Sequence, residues 1–209
     1  MTKDLKQKWY QLATQFSDDS FLVENLWIEI EKQYSLKIRH YHNLSHIQNM
    51  ISHAEVVREY IIDNNAFLFS IWYHDIIYKP TRKDNEEKSA LLAKKRLKTL
   101  NIDEKTLKNI ENLIISTKKH EIILSQNNDN ALLLDIDLSI LGSDWETYQN
   151  YIQSIRKEYA IYPNFMYKKG RKDVLKHFLE RKTLYFTEVY QNKFEKQARQ
   201  NLLKEIKML

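Results

Sequence analysis

The sequence predicts an all-α protein, and two observations carry this prediction. Only two glycines and two prolines occur among the 209 residues, whereas strand-rich folds need many tight turns built from such residues. Apolar residues also recur at helical spacing nearly from end to end. Because no sustained heptads accompany this spacing, the pattern favours a globular helical bundle over a coiled coil.

The predicted helices follow one another through short connections. They cover residues 4–16, 19–34, 44–60, 65–77, 85–100, 103–117, 129–140, 144–160, 171–184 and 187–207. Asp84 and Glu87 have N-cap and capping-box spacing for the helix that begins at residue 85. Gly142 suits a helix C-terminus, and Asp144 can start the next helix. The predicted loops are residues 78–83, 126–129 and 161–169.

Composition excludes several classes of protein. Without cysteine, disulfides, iron–sulfur clusters, thiolate zinc sites and cysteine nucleophiles are all ruled out. No apolar run approaches the length of a membrane span, and residues 1–9 lack the apolar core of a signal peptide. The expectation is a cytoplasmic protein with no membrane partner.

The net charge of +5 and the pI near 9.1 leave two interpretations open. A basic protein attracts phosphorylated substrates or nucleic acid, but scattered lysines are also a common solvated surface. No aromatic-interleaved basic motif accompanies the charge. A nucleic-acid partner is therefore not expected.

Histidine and aspartate are distributed unevenly along the chain. Three of the seven histidines fall within residues 40–46, a fourth directly precedes an aspartate as His74-Asp75, and Asp135 and Asp137 interrupt an apolar run. Imidazoles and carboxylates together hold divalent metal ions. A charged pair that closes a buried-looking helix is costly unless it is paired or metal-bound. The pattern predicts a metal site, completed by one of the two later aspartates.

His42 and His46 allow two geometries. Their i, i+4 spacing would place both on one helix face, as in zinc proteases, but those require Glu after the first His and Asn43 stands there instead. In the other geometry His46 lies in the first turn of a helix and binds metal. His42 then lies just ahead, as a general acid, a phosphate ligand or merely a residue at the helix start.

Together these residues resemble the HD-domain superfamily of metal-dependent phosphohydrolases, named for the adjacent His-Asp pair. Within it, the chain is similar to a small branch of predicted HD phosphohydrolases of uncharacterised substrate. The matching segments are residues 39–47, 72–78, 84–90 and 137–142, with later matches at 155–159, 170–171 and 198–202. The resemblance implies one helical domain of phosphodiesterase-like type over residues 1–209. Its metal-site core would span about residues 39–142, with a helical part at 143–209 packed on it.

The resemblance also assigns roles. It implies that His46, His74, Asp75 and Asp137 are the metal ligands, while Asp135 is a structural neighbour. Residues 41–43 are similar to cyclic-nucleotide phosphodiesterases, which implies that His42 protonates the leaving oxygen. The cofactor would be one or two divalent ions, and such ligands suit Mn, Fe, Co, Ni, Mg or Zn.

Further candidates each have a plainer alternative. Asp84, Glu86 and Glu87 could orient water, although helix capping also explains Asp84 and Glu87. The acidic pair of stringent-response hydrolases is missing, since those positions read Ile77-Tyr78-Lys79, and the mechanism of that group does not transfer.

Four basic residues complete the candidate set. Arg39, Arg156 and Arg171 could clamp phosphate, since Arg binds it in a bidentate manner, or could equally pair with a nearby acid. His120 could contribute a metal ligand or a phosphate contact, or could lie at the surface.

The expected function is hydrolysis of a phosphate ester, with a nucleotide or a small phosphorylated metabolite as the substrate. The alternative is a nucleotide- or metal-sensing binding module without turnover. A homodimer is a further expectation, with Tyr148, Tyr151 and Tyr159 either lining its interface or packing on a neighbouring helix.

Overall fold

The computed structural model describes residues 2–126 and 128–209, which form helices and no β-strand. The all-α class is confirmed, while the finer HD-type arrangement stays a prediction. The α-helices are α1 (Thr2–Ala13), α2 (Ser20–Tyr34), α3 (Leu44–Val56), α4 (Asn64–Tyr73), α5 (Asn85–Leu97), α6 (Glu104–Ser116), α7 (Asp129–Asp137), α8 (Trp145–Glu158), α9 (Asn164–Glu180) and α10 (Glu188–Met208). Short 3₁₀ turns occupy Arg58–Tyr60, Lys98–Leu100 and Leu138–Gly142. Asn127, inside the predicted loop 126–129, lies outside the described residues. Within the described ranges, no helix combines the length and apolarity of a membrane span.

Polar side chains define where several helices begin. Asp19, Asn43, Asp63, Asp103 and Asp144 each accept a hydrogen bond from a backbone N–H in the first turn that follows, as N-cap residues do. Asp84 also precedes its helix, but makes no capping hydrogen bond. Its carboxylate instead accepts two N–H groups of Arg82, each at 2.8 Å. The predicted capping box of Asp84 and Glu87 is therefore wrong, because Arg82 occupies the capping carboxylate.

The chain divides into two compact units, Met1–Leu133 and Leu134–Leu209. In the first unit, α4 is buried almost all round, and its aromatic side chains meet those of α1 and α2. The Trp72 ring lies edge-on to Trp9 and Trp27, with ring centroids 5.8 and 6.1 Å apart. Such edge-to-face pairs add to the apolar burial. The C-terminal end of α4, which His74-Asp75 follows, is thus packed in a buried aromatic core.

The second unit contains a buried charged pair. Arg171 on α9 donates to both carboxylate oxygens of Glu205 on α10, at 2.7 and 3.0 Å, and the two side chains are only 10% and 1% exposed. Tyr148 donates its hydroxyl to Glu205, and Arg171 donates to the Tyr151 hydroxyl at 3.3 Å. Tyr148 is fully buried, so it packs within this unit. The homodimer stays a prediction.

Gly142 allows the Leu138–Gly142 turn to lie directly against α10. A Cβ at position 142 would come within 2.5 Å of Phe194 Cβ and 2.9 Å of the Phe194 carbonyl oxygen. Beside this contact, Asn201 donates to the carbonyls of Leu141 and Ser143, each at 2.8 Å. Gly142 does lie at the end of the helical run as predicted, but what requires glycine there is the close approach of Phe194 and not a left-handed conformation, since the φ of Gly142 is not positive.

The largest error of the sequence-based prediction concerns α9. It begins at Asn164 and ends at Glu180, whereas the sequence predicts a loop at 161–169 and a helix at 171–184. Proline is well tolerated where a helix starts, as Pro163 is here. Glycine inside a helix costs only about 1 kcal/mol, and Gly170 lies on an open face, where nothing beyond its own stretch of helix comes within 4 Å of the position of a Cβ. Both residues are therefore compatible with a helix through this segment.

Asp135 accepts hydrogen bonds from the segment that directly precedes α10. Its buried carboxylate accepts N–H groups of Phe186 and Thr187, at 2.7 and 2.8 Å, and the Thr187 hydroxyl at 2.6 Å. Burial raises the pKa of Asp135 to about 6, although the three hydrogen bonds favour its charged form. This geometry matches the structural role expected for Asp135.

We expect Asp135→Ala to lower the free energy of unfolding by about 2–4 kcal/mol, because buried donors left without an acceptor cost roughly 1–3 kcal/mol each. Urea denaturation measures the change. Asp135→Asn, which keeps one acceptor oxygen, should lose less, and Asp173→Ala on the exposed face of α9 should lose almost nothing. Equal stability of Asp135→Ala and the parent would contradict the capping role.

Candidate metal centre

The two histidines at the start of α3, His42 and His46, lie on opposite sides of the point where the helix begins. Asn43 is the N-cap, and its side chain accepts the Ser45 N–H at 2.8 Å. His46 therefore lies in the first turn of α3 and is 4% exposed, while His42 precedes the helix. The placement of both residues relative to the helix follows the second of the two predicted geometries, and the shared-face alternative is wrong, while metal binding by His46 stays a prediction.

The end of α4 brings the adjacent pair together. The helix ends at Tyr73, earlier than the predicted residue 77, so that His74 is the C-cap and Asp75 lies beyond. His74 keeps right-handed helical dihedrals, with φ −56° and ψ −39°. At this end of the helix His74 Nε2 and Asp75 Oδ2 approach to 3.2 Å.

His46, His74 and Asp75 form one compact group. Their ligand atoms all lie within 4.8 Å of one another, and the two Nε2 atoms are 3.2 Å apart. His74 Nδ1 lies 2.9 Å from the Ile71 carbonyl oxygen. A carbonyl can only accept, so Nδ1 of the neutral ring carries the proton and Nε2 presents a lone pair to the group. Three side chains that can each supply one ligand atom therefore converge, and two imidazoles with one carboxylate fit a divalent cation.

His42 borders this group without belonging to it. Its Nε2 is 3.9 Å from Asp75 Oδ2, and its side chain is 20% exposed. The Tyr78 ring lies against the imidazole, with centroids 4.2 Å apart and planes inclined by 30°. The ring centroid of Tyr41 lies 5.0 Å from the ring centroids of both His42 and His46. The contact with Tyr78 was not predicted, although an aromatic residue three positions after the His-Asp pair was a usable signal.

The acidic residues near α5 separate into two kinds. Asp84 binds Arg82, whose hydrogen bonds and charge lower the pKa of Asp84 although burial opposes them. Glu87 pairs with Lys118, which lowers its pKa. Glu86 differs, because burial raises its pKa and the negative charge of Asp75 raises it further. Glu86 is thus the carboxylate of this trio that interacts electrostatically with the metal group, while the predicted catalytic roles of Asp84 and Glu87 stay predictions.

The three predicted phosphate clamps already donate to protein acceptors. Arg39 binds backbone carbonyls, and Arg171 takes the ion-pair alternative with Glu205. Arg156 donates to Asn164 Oδ1 at 2.7 Å and to two carbonyls that follow α8. Their binding of substrate phosphate stays a prediction.

Two predicted residues are placed outside the compact group. His120 follows α6 in the left-handed region with φ 49°, a conformation in which histidine is enriched. Asp137 is the last residue of α7 and belongs to the second unit. There, burial raises the pKa of Tyr151 and the charge of Asp137 adds to the shift. The ligand roles of His120 and Asp137 stay predictions.

The arrangement offers a divalent-cation site of two imidazoles and one carboxylate, with a third imidazole and a half-buried carboxylate nearby. Comparison of the chain with family models, curated proteins and solved structures gave no match.

Proposed function

We propose that this chain is a metal-dependent phosphohydrolase of the HD-domain superfamily, acting on a phosphate ester of a nucleotide or a small phosphorylated metabolite. The observation that supports it is the convergence of His46 Nε2, His74 Nε2 and the Asp75 carboxylate within 4.8 Å. A bound divalent ion would polarise the phosphate and lower the pKa of a water molecule.

The residues of the chain have separate tasks in this proposal. His46, His74 and Asp75 hold the ion, and the Ile71 carbonyl keeps His74 in the tautomer that can bind. Imidazole nitrogen favours Mn²⁺, Fe²⁺, Co²⁺, Ni²⁺ or Zn²⁺ over Mg²⁺. His42, partly exposed beside Asp75, gives its proton to the leaving oxygen. Glu86 orients the attacking water.

Metal content and hydrolysis test the proposal together. We expect the parent protein to bind about one equivalent of Co²⁺ or Mn²⁺ by elemental analysis. Asp75→Ala should weaken binding at least about 100-fold, because loss of even an outer partner of a ligand costs roughly 10- to 100-fold. Asp84→Ala is the matched control, since its carboxylate is held by Arg82 outside the group.

The loaded protein is then assayed with p-nitrophenyl phosphate, bis(p-nitrophenyl) phosphate and a set of nucleotides. Release of phosphate or alcohol that depends on both metal and Asp75 supports a hydrolase. Stoichiometric metal with no turnover of any ester would favour a sensing module instead. Absence of metal binding in the parent would overturn the proposal.

A further inference from the structure

Arg39 is a buried cation that donates hydrogen bonds to both segments on which the candidate metal site is built. The residue as a whole is only 5% exposed. One terminal nitrogen donates to the His42 carbonyl at 3.1 Å and to the Asp75 carbonyl at 2.6 Å, and the other donates to the Ile76 carbonyl at 2.8 Å. Burying a charge is costly unless its hydrogen bonds are made. The two terminal nitrogens of this guanidinium make such bonds to the main chain of His42, Asp75 and Ile76, whereas its buried Nε has no hydrogen-bond partner among the described residues.

Two tyrosine rings enclose the same guanidinium. Its central carbon lies 4.8 Å from the Tyr34 ring centroid and 5.6 Å from that of Tyr78, distances typical of cation–π contacts. The Tyr34 hydroxyl donates to the Trp72 carbonyl at 3.1 Å, in the last turn of α4. Tyr78 in turn lies against the His42 imidazole. Arg39 therefore contacts the backbone of His42 and also the Tyr78 ring, which lies against the His42 side chain.

The segments that Arg39 joins carry the residues of the proposed reaction. His42 precedes α3, which bears His46, and Asp75 follows His74, the C-cap of α4. Lysine could not replace this fork, because an ammonium is a compact point charge without the planar, divergent donors of arginine. The three carbonyl acceptors belong to the segment that carries His42 and to the segment that carries Asp75. A change in the distance between these two segments would therefore alter the 3.9 Å separation between His42 Nε2 and Asp75 Oδ2.

We propose that Arg39 is a positioning residue that fixes the His42 imidazole relative to the Asp75 ligand, acting through the carbonyls of both residues and through Tyr78. This inference deepens the proposed function and rests on it for its catalytic meaning. It also replaces direct phosphate binding by Arg39 with an indirect role.

The test compares Arg39→Lys with Arg96→Lys. Arg96 lies in the same unit and also makes a two-pronged contact, with Glu29 at 2.5 and 2.8 Å, so both variants lose a guanidinium fork. Proteins with isotope-labelled histidine are examined by NMR without metal, and Co²⁺ affinity is measured by titration. In Arg39→Lys we expect the His42 ring-proton resonances to lose the ring-current shift caused by Tyr78, and Co²⁺ binding to weaken by about tenfold. Arg96→Lys should change neither.

Unchanged His42 resonances in Arg39→Lys, or changes of equal size in both variants, would overturn the inference. If Arg39→Lys does not fold, Arg39→Gln, which also lacks the guanidinium fork, is examined in the same way and should show the same loss of the ring-current shift at His42. The resonances are recorded without metal, so they report the position of His42 whether or not the protein binds Co²⁺. A parent protein that binds no Co²⁺ would contradict the proposed hydrolase function, but the positioning of His42 by Arg39 would still be measured.

Discussion

If the proposed hydrolase function is correct, a His42→Gln variant is expected to keep its metal and lose most of its activity. Removing a positioned general acid typically lowers kcat by roughly 10²- to 10⁴-fold, and glutamine cannot supply the proton that the leaving oxygen needs. His42 lies outside the group of ligand atoms that includes Asp75, so Co²⁺ affinity should stay near that of the parent. Steady-state kinetics on the best ester of the panel, with metal content measured in parallel, gives the result.

His40→Gln is the matched control, because His40 lies in the same segment but is exposed. It should keep both activity and metal. A substrate with a good leaving group, such as a p-nitrophenyl ester, needs little protonation and should lose less rate in His42→Gln than an alkyl ester. An equal loss on both ester types would contradict the role of general acid.

Replacing Arg171 by Met will strongly destabilise the protein. The change leaves Glu205, only 1% exposed, as an uncompensated buried charge, and breaking one partner of a buried pair costs about 3–5 kcal/mol. Urea denaturation should show this loss as a lower midpoint. A residue that mainly clamps phosphate would instead raise KM with little change in the midpoint, so the measurement separates the two alternatives for Arg171.

The double variant Arg171→Met/Glu205→Gln completes the experiment. Because it removes both charges, it should recover a large part of the lost stability, as neighbours in one network do not contribute additively. Lys172→Met, the adjacent position on α9, controls for the loss of a positive charge and should change stability by less than about 0.5 kcal/mol. A double variant no more stable than Arg171→Met would contradict the pairing argument.

Much of the helical order could be predicted because amphipathic spacing and capping residues are local. Asp19, Asp103 and Asp144 each start a helix by binding N–H groups two or three positions ahead. The same local reasoning failed at α9, where Pro163 and Gly170 are compatible with helix. It also failed at Asp84, where Arg82, two residues away, competes for the carboxylate.

The candidate site was predicted in part, for a related reason. Residue type and order identified His46, His74 and Asp75, whose ligand atoms the fold brings together. The sequence did not indicate that α4 ends at Tyr73, four residues before the predicted end at residue 77. The donors of Arg39 to the carbonyls of Asp75 and Ile76 likewise join segments far apart in the chain, and the interaction of Glu86 with Asp75 joins α5 to the segment that follows α4. Spacing along the sequence does not encode such contacts.

The contact between Gly142 and α10 has a consequence for sequence divergence. The atoms that a Cβ at 142 would meet most closely include Cβ and the carbonyl oxygen of residue 194, which every amino acid except glycine possesses in the same place. Shortening the Phe194 side chain would therefore leave the obstruction in place. As related sequences diverge, a change of the side chain at position 194 does not release position 142, which has to remain glycine for as long as the turn and the helix keep this distance.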